Sequence, residues 1–187
     1  WRLFESLKSR RFTFTVESWH NAKDILAHNT DTKSPKELLL RARDRMENDI
    51  PPGPAGMAFK GFGMGMELDL FLMPHLINYA LDNDLFPISV NVSTSAVVRP
   101  KFWKAIYPLF EELEAKGHKR SDVIFEIEED GILTDSGKQA VREMRRAGFC
   151  FAMDDFGDDE RDERFERLIA EVADYIKIRG PLVQAGL

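Results

Sequence analysis

Apolar and polar positions follow two periods along the chain, and the two alternate. Residues 2–8 have the apolar spacing of a short helix, and residues 12–16 alternate apolar side chains with threonine, the period of a strand. Residues 20–36 are polar and include Asn29, Asp31 and Pro35, which predicts mostly loop. Glu37-Leu38-Leu39-Leu40-Arg41 sets three leucines between an acid and a base, and fits a helix or a strand. Residues 51–65 hold three prolines and five glycines with Met57, Phe59, Phe62 and Met64 between them. They are expected to form a long connection that packs those apolar side chains on the body of the domain. Residues 68–81 return to helical spacing through Leu68, Leu72, Leu76, Tyr79 and Ala80, with Pro74 expected to kink or start the helix.

The later chain is more regular. Residues 87–92 read as a strand ending at Asn91. Residues 100–116 read as a helix with Trp103, Ile106, Phe110 and Leu113 on one face and Gly117 as its stop. Residues 122–127 form the next predicted strand, closing on Glu126, Glu128 and Glu129. A helix over 134–147 turns Val141, Met144 and Ala147 inward, with Gly148 past its end. Residues 149–153 run apolar or small without a break, as in a strand buried on both faces. Residues 158–171 are heavily charged but keep Phe165, Leu168 and Ile169 at helical spacing, and 174–178 close as a strand carrying Lys177. This alternation argues for parallel βα units. Asn91, Glu126, Glu129, Asp154, Asp155 and Lys177 fall in or just beyond the carboxyl-terminal halves of these strands, where such folds gather their function.

Composition narrows the partners. With 26 Lys and Arg against 32 Asp and Glu, the net charge is −6, and no dense basic patch is present, so duplex nucleic acid is not expected as a partner. The single cysteine, Cys150, lies inside an apolar run, which implies no disulfide framework and a reducing, cytoplasmic setting. No apolar run approaches the roughly 20 residues that span a bilayer. The chain opens on Trp1 rather than methionine, and reads as a piece of a longer polypeptide whose sensor or membrane regions lie elsewhere.

Asp154 and Asp155 end a buried strand. At about 4 Å and an effective dielectric of ~20, two like charges repel by roughly 4 kcal/mol. A cation offsets that repulsion; the bland alternative is that one acid caps a following helix while the other is solvated. Oxygen donors of the Glu, Asn and Asp type suit Mg²⁺ or Mn²⁺ better than zinc. His20, His28, His75 and His118 show no ligand spacing and are expected on the surface or in loops. A lysine beside such a cluster can steady a metal-bound hydroxide or a departing oxyanion.

These residues together resemble the EAL domains, bacterial phosphodiesterases that cut cyclic di-GMP, over nearly the whole chain. Glu37-Leu38-Leu39-Leu40-Arg41 is similar to the signature Glu-Ala-Leu-Leu-Arg, with Leu38 for alanine. Asn91-Val92-Ser93 resembles Asn-x-Ser, and Glu126-Ile127-Glu128-Glu129 resembles Glu-x-Thr-Glu with Glu128 for threonine. Asp154-Asp155-Phe156-Gly157 matches Asp-Asp-Phe-Gly, and Tyr175-Ile176-Lys177-Ile178 resembles the strand of the family lysine. The resemblance implies an α/β fold, a TIM-like (β/α)8 barrel of the EAL type, with the first five to six βα units inside residues 1–187 as one domain. It implies that Glu37, Asn91, Glu126 and Asp154 bind a first Mg²⁺ or Mn²⁺, and that Asp154 and Asp155 serve a second. Lys177 would stand by the attacking water, Glu129 would tie down the following loop, Arg41 would hold a phosphate, and Leu39 would pack on a guanine.

Three departures accompany the match. Asp158-Asp159-Glu160-Arg161-Asp162 replaces the family's Thr-Gly-Tyr-Ser-Ser, a loop that organises the second metal and the dimer contact. Lys177-Ile178-Arg179 replaces Lys-x-Asp, setting a guanidinium where the family has an acid. The family's remaining strands, with a further glutamate, do not occur before Leu187. Two functions therefore stand open: a metal-dependent phosphodiesterase that converts cyclic di-GMP to linear pGpG, and a degenerate domain that acts as a cyclic di-GMP receptor or interaction module. A homodimer, or contact with other signalling domains of the same polypeptide, would accompany either.

Overall fold

The computed structural model describes residues 2–20, 34–128, 134–156 and 172–178. Its strands are β1 (Phe12–Ser18), β2 (Lys36–Arg43), β3 (Asp49–Ile50), β4 (Ile88–Asn91), β5 (Val123–Ile127), β6 (Cys150–Phe156) and β7 (Tyr175–Ile178). Its helices are α1 (Arg2–Lys8), α2 (Pro52–Gly61), α3 (Gly65–Asp82), α4 (Thr94–Val97), α5 (Pro100–Ala115) and α6 (Asp135–Arg146). The strands form one sheet in the order β1-β2-β4-β5-β6-β7, with β3 paired to β2. β1 runs antiparallel to β2, and β2, β4, β5, β6 and β7 are parallel.

The ambiguous stretch around Glu37 is a strand because both its edges find partners, β1 on one side and β4 on the other. The predicted connection over 51–65 is instead largely helical. Pro52 stands at its start, where a missing N–H costs nothing. Met57 and Phe62 there are exposed rather than packed, while Phe59 joins the small cluster of Leu3, Leu7 and Ala42. α3 begins nine residues before Pro74 and runs through it, so this proline neither starts nor ends the helix. Gly117 and Gly148 have φ of 91° and 92° and follow α5 and α6, where a side chain would be strained. Thr134 caps α6, its Oγ1 accepting the Gly137 amide at 3.1 Å. His75 lies within α3, half-buried against Phe12 and Phe71, not in a loop. The helix expected over 158–171 lies outside the described residues.

Alternation along the parallel strands divides the sheet into two faces. Ile88, Val90, Val123, Phe125, Ile127, Phe151 and Met153 point toward the helices and join the main core. Around Trp103 that core is aromatic: its ring centroid is 5.5 Å from Phe125 and 4.9 Å from Phe149, and Phe151 lies 5.7 Å from Phe125. The opposite face carries Ile124, Cys150 and Ala152 with Trp19 packed on them. The positions two beyond these are Glu126 and Asp154, so one period of two serves both core and chemistry. No helix among the described residues is long and apolar enough to cross a membrane.

Phe125 is fully buried between four aromatic neighbours. Phe125→Ala is expected to lower unfolding stability by about 3–5 kcal/mol, measured by urea denaturation; a loss below that range would mean that the cluster collapses to fill the space.

Candidate functional site

Strand register brings the chemistry together. Asn91 pairs with Glu126 across β4 and β5, and Glu126 pairs with Ala152, two residues before Asp154. Ala152 pairs with Tyr175, two residues before Lys177. Glu37 pairs with Ser89, two residues before Asn91. Because side chains repeat every second residue, all five project from one face near one end of the sheet.

Their contacts form a cage around an ammonium group. Lys177 Nζ donates to Glu37 Oε2 at 2.8 Å and to Glu126 Oε2 at 2.5 Å, and lies 3.4 Å from Asp154 Oδ1. Asn91 Nδ2 donates to Glu37 Oε1 at 2.9 Å. The indole ring of Trp19 lies 5.6 Å from Lys177 Nζ, within cation–π range. Glu126 is 1% exposed, and its Oε1, which Lys177 does not engage, is buried near the Ser89 hydroxyl. Burial pushes the Glu126 pKa up to about 7; Lys177 opposes that shift, the charge on Glu37 adds to it, and a hydrogen bond from Ser89 lowers it. For Lys177 burial works against the charge, but Glu126, Glu37 and Asp154 outweigh it and hold its pKa above the ordinary lysine value.

In kind, three carboxylates and an amide suit a hard divalent cation, and Glu126 keeps one oxygen that Lys177 does not engage. In arrangement they do not form a metal site. Among the described residues no group of three or more His, Cys, Asp or Glu is set to hold a metal ion, and the carboxylates converge on Lys177 instead.

Leu39 and Arg41 lie on β2, two and four residues beyond Glu37, and so on the same face. Both line a cavity of about 390 Å³ that also touches Asn91, Ser93, Asp69 and Glu126. Arg41 additionally lines a second concavity of about 620 Å³ with Arg10, Arg11, Arg43, Thr13 and Thr15. Its Nη1 donates to Leu40 O at 3.1 Å, and its Nη2 lies 3.7 Å from Glu17. The side chain of Asp155 and the whole of Glu129 lie outside the described residues, as do Gly157, the acidic loop over 158–162 and Arg179.

Sequence reasoning missed three supporting residues. Trp19 follows a strand whose alternation ends at Val16, and only its large aromatic side chain hinted at burial. Asp69, on α3, accepts from Ser93 N at 3.0 Å and Ser93 Oγ at 2.5 Å, fixing the turn that follows Asn91. Asp174 accepts from Arg145 at 2.6 Å and from the Phe151 amide at 3.0 Å, anchoring the start of the strand that carries Lys177. Neither acid belongs to a pattern that sequence spacing reveals.

A family model described as the EAL domain matches residues 29–186. Cyclic di-GMP phosphodiesterase PdeF of Escherichia coli (strain K12) is 24% identical over 155 residues, covering 79% of this chain and 20% of that protein. The chain therefore spans about a fifth of the length of that curated relative. The FimX EAL domain from Pseudomonas aeruginosa bound to c-di-GMP superimposes with a TM-score of 0.74 at 19% identity, over 97% of this chain and 71% of that one. Vibrio cholerae LapD S helix-GGDEF-EAL bound to c-di-GMP gives 0.73 at 17% identity, over 94% and 41%. These likenesses show the fold: the parallel sheet with its helices is part of a TIM-like barrel, as the motifs imply.

Burial pushes the Asp69 carboxyl up to about 6, against the two hydrogen bonds from Ser93. Between its ordinary 3.8 and about 6 the folded protein keeps a proton that the unfolded chain has released, so this group's contribution to stability falls as pH rises through that window. Asp69→Asn is expected to flatten this segment of the stability–pH curve, followed by urea midpoints. An unchanged slope in the variant would assign it to other groups.

Proposed function

Because the chain belongs to the EAL domain family, we propose that it recognises cyclic di-GMP in the concavity at this end of the sheet. The observation that carries the proposal is the position of Arg41. It stands on the strand face of Glu37 and lines both the cavity beside the carboxylates and the arginine-lined concavity next to it. A cyclic dinucleotide carries two phosphates that a carboxylate cage alone would repel, and a planar guanidinium is suited to bind one of them in bidentate fashion. Leu39, two residues before Arg41, offers an apolar surface to a guanine. That the FimX and LapD structures hold c-di-GMP, and that the Escherichia coli relative is a cyclic di-GMP phosphodiesterase, supports the choice of ligand.

Binding without turnover is the reading supported by the departures beside the site, the acidic residues 158–162 and Arg179 after Lys177, while Lys177 offsets only part of the charge of the three carboxylates it contacts. A second reading, hydrolysis to linear pGpG, is supported by the convergence of Glu37, Asn91, Glu126 and Asp154. There a water oxygen would join phosphorus while one P–O3′ bond breaks, with Asp155 and Glu129 assigned to the same machinery by resemblance. We place the domain within a longer signalling polypeptide, as its relatives extend well beyond it; a homodimer belongs to the same proposal.

Calorimetry with cyclic di-GMP, run with and without Mg²⁺ or Mn²⁺, tests this, with chromatography of the nucleotide afterwards. Binding is expected with no linear product, and Arg41→Ala should weaken it roughly tenfold to a hundredfold while leaving the unfolding midpoint in place. No binding under any condition rejects the proposal. Linear product that disappears in Glu37→Ala establishes the hydrolytic reading instead.

A further inference from the structure

Where α1 gives way to β1, two neighbouring arginines face a hollow that holds few acids. The turn is closed by Arg10 N donating to Leu7 O at 3.1 Å and Arg11 N to Ser6 O at 2.9 Å, the paired bonds that end a helix on a left-handed residue. Glycine is the usual occupant of that position, yet Arg10 stands there with φ of 54°. The chain therefore carries a backbone strain that glycine would relieve, and keeps a cationic side chain at the turn. Arg11 lies beside Arg43, whose N donates to Arg11 O at 3.0 Å, and Thr13 pairs with Arg41. Alternation turns these four side chains to one side of the two strands. With Arg10 they line the concavity of about 620 Å³, which Ile50, Pro51 and Pro52 also line.

Two of the four guanidinium groups are already committed. Arg43 lies 3.3 Å from Asp49 and 3.7 Å from Glu47, the two acids that line the concavity, and Arg41 lies 3.7 Å from Glu17. Among the described residues Arg10 and Arg11 have no carboxylate within ion-pair distance. Arg11 Nε is buried without a hydrogen-bond partner there, so packing holds this side chain in place before any ligand arrives. Two positive charges are thus left over. A phosphodiester brings one negative charge, whereas a phosphomonoester brings nearly two at neutral pH and three strong acceptor oxygens. We propose that this concavity is a second anion site, in which Arg10 and Arg11 grip the terminal phosphate of a small phosphomonoester while its organic part lies along Ile50 and the two prolines. The size fits such a molecule rather than a bare ion, since pockets for small organic ligands run to about 300–1,000 Å³. The inference goes beyond cyclic di-GMP, whose phosphates are diesters, and rests on arginines that the dinucleotide reading does not use.

Calorimetry on the full chain compares GMP, a phosphomonoester, with guanosine 3′,5′-cyclic monophosphate, a diester of the same base, and with inorganic phosphate. GMP is expected to bind roughly tenfold or more tightly than either. Arg10→Gly should weaken GMP binding roughly tenfold and raise the unfolding midpoint, because it removes a charge and relieves the left-handed backbone together. A residue that served the fold alone would not move the two in opposite directions. Should the glycine variant fail to fold, Arg10→Asn decides, since asparagine tolerates that backbone and carries no charge. Cyclic di-GMP binding, read in the same variants, should stay at the level of the unsubstituted chain, which separates a failure here from a failure of the dinucleotide reading. No GMP binding, equal affinity for GMP and the cyclic diester, or phosphate binding as tightly as GMP overturns the proposal. So does a GMP affinity unchanged in the Arg10 variants, or a parallel loss of cyclic di-GMP binding, which would merge the two concavities into one site.

Discussion

Like charges gathered at one end of a parallel sheet set the terms for everything around them. Glu37, Glu126 and Asp154 come from three strands whose opposite faces are committed to the core, so none of them can turn away from the others. Removing one partner from such a buried ionic group leaves the others uncompensated, a cost of several kcal/mol. The lysine on β7 meets that demand, and β7 is in turn held by Asp174 to both α6 and β6. The site is thus stabilised from the edge of the sheet inward, through a strand of four residues.

Supporting contacts arrange themselves around this requirement. Asp69 fixes the backbone just after Asn91, and Gly65 leaves room for it: a Cβ there would come within 3.1 Å of Ser93 Oγ. The ion pair of Lys60 with Glu128 and the hydrogen bond from Thr94 to the Glu128 carbonyl tie the end of β5 to the neighbouring helices. Side chains outside the Lys177 cluster therefore help to fix the backbone that carries its carboxylates.

Much of this architecture was legible in the chain. The helix over 100–115 announced itself through Trp103, Ile106, Phe110 and Leu113, all buried at helical spacing. The strands carrying Asn91, Glu126 and Asp154 were visible as short apolar runs that reach polar groups, and their order and spacing carried the family likeness. β6 nevertheless continues through Asp154 to Phe156, where the apolar run alone stops at residue 153. What stayed hidden depends on distant partners. Glu37-Leu38-Leu39-Leu40-Arg41 is a strand because β1 and β4 flank it, a fact absent from the five residues themselves. The helix over 52–61 is rich in proline and glycine, which read locally as a connection. That Lys177 reaches three carboxylates up to 140 positions away is a matter of register, beyond the range of any local pattern.

The reversed direction of β1 has a practical outcome. Since Phe12 pairs with Ala42 near the end of β2, the strand begins beside the mouth of the site and descends from it. α1 lies there too, with Arg2 close to Asp44 and Arg45 bound to Glu5. A fluorophore carried on the exposed face of α1 would therefore stand close to the cavity that Leu3 lines together with Leu39 and Arg41. Attached reporters at that end can watch the entrance, and can also obstruct it.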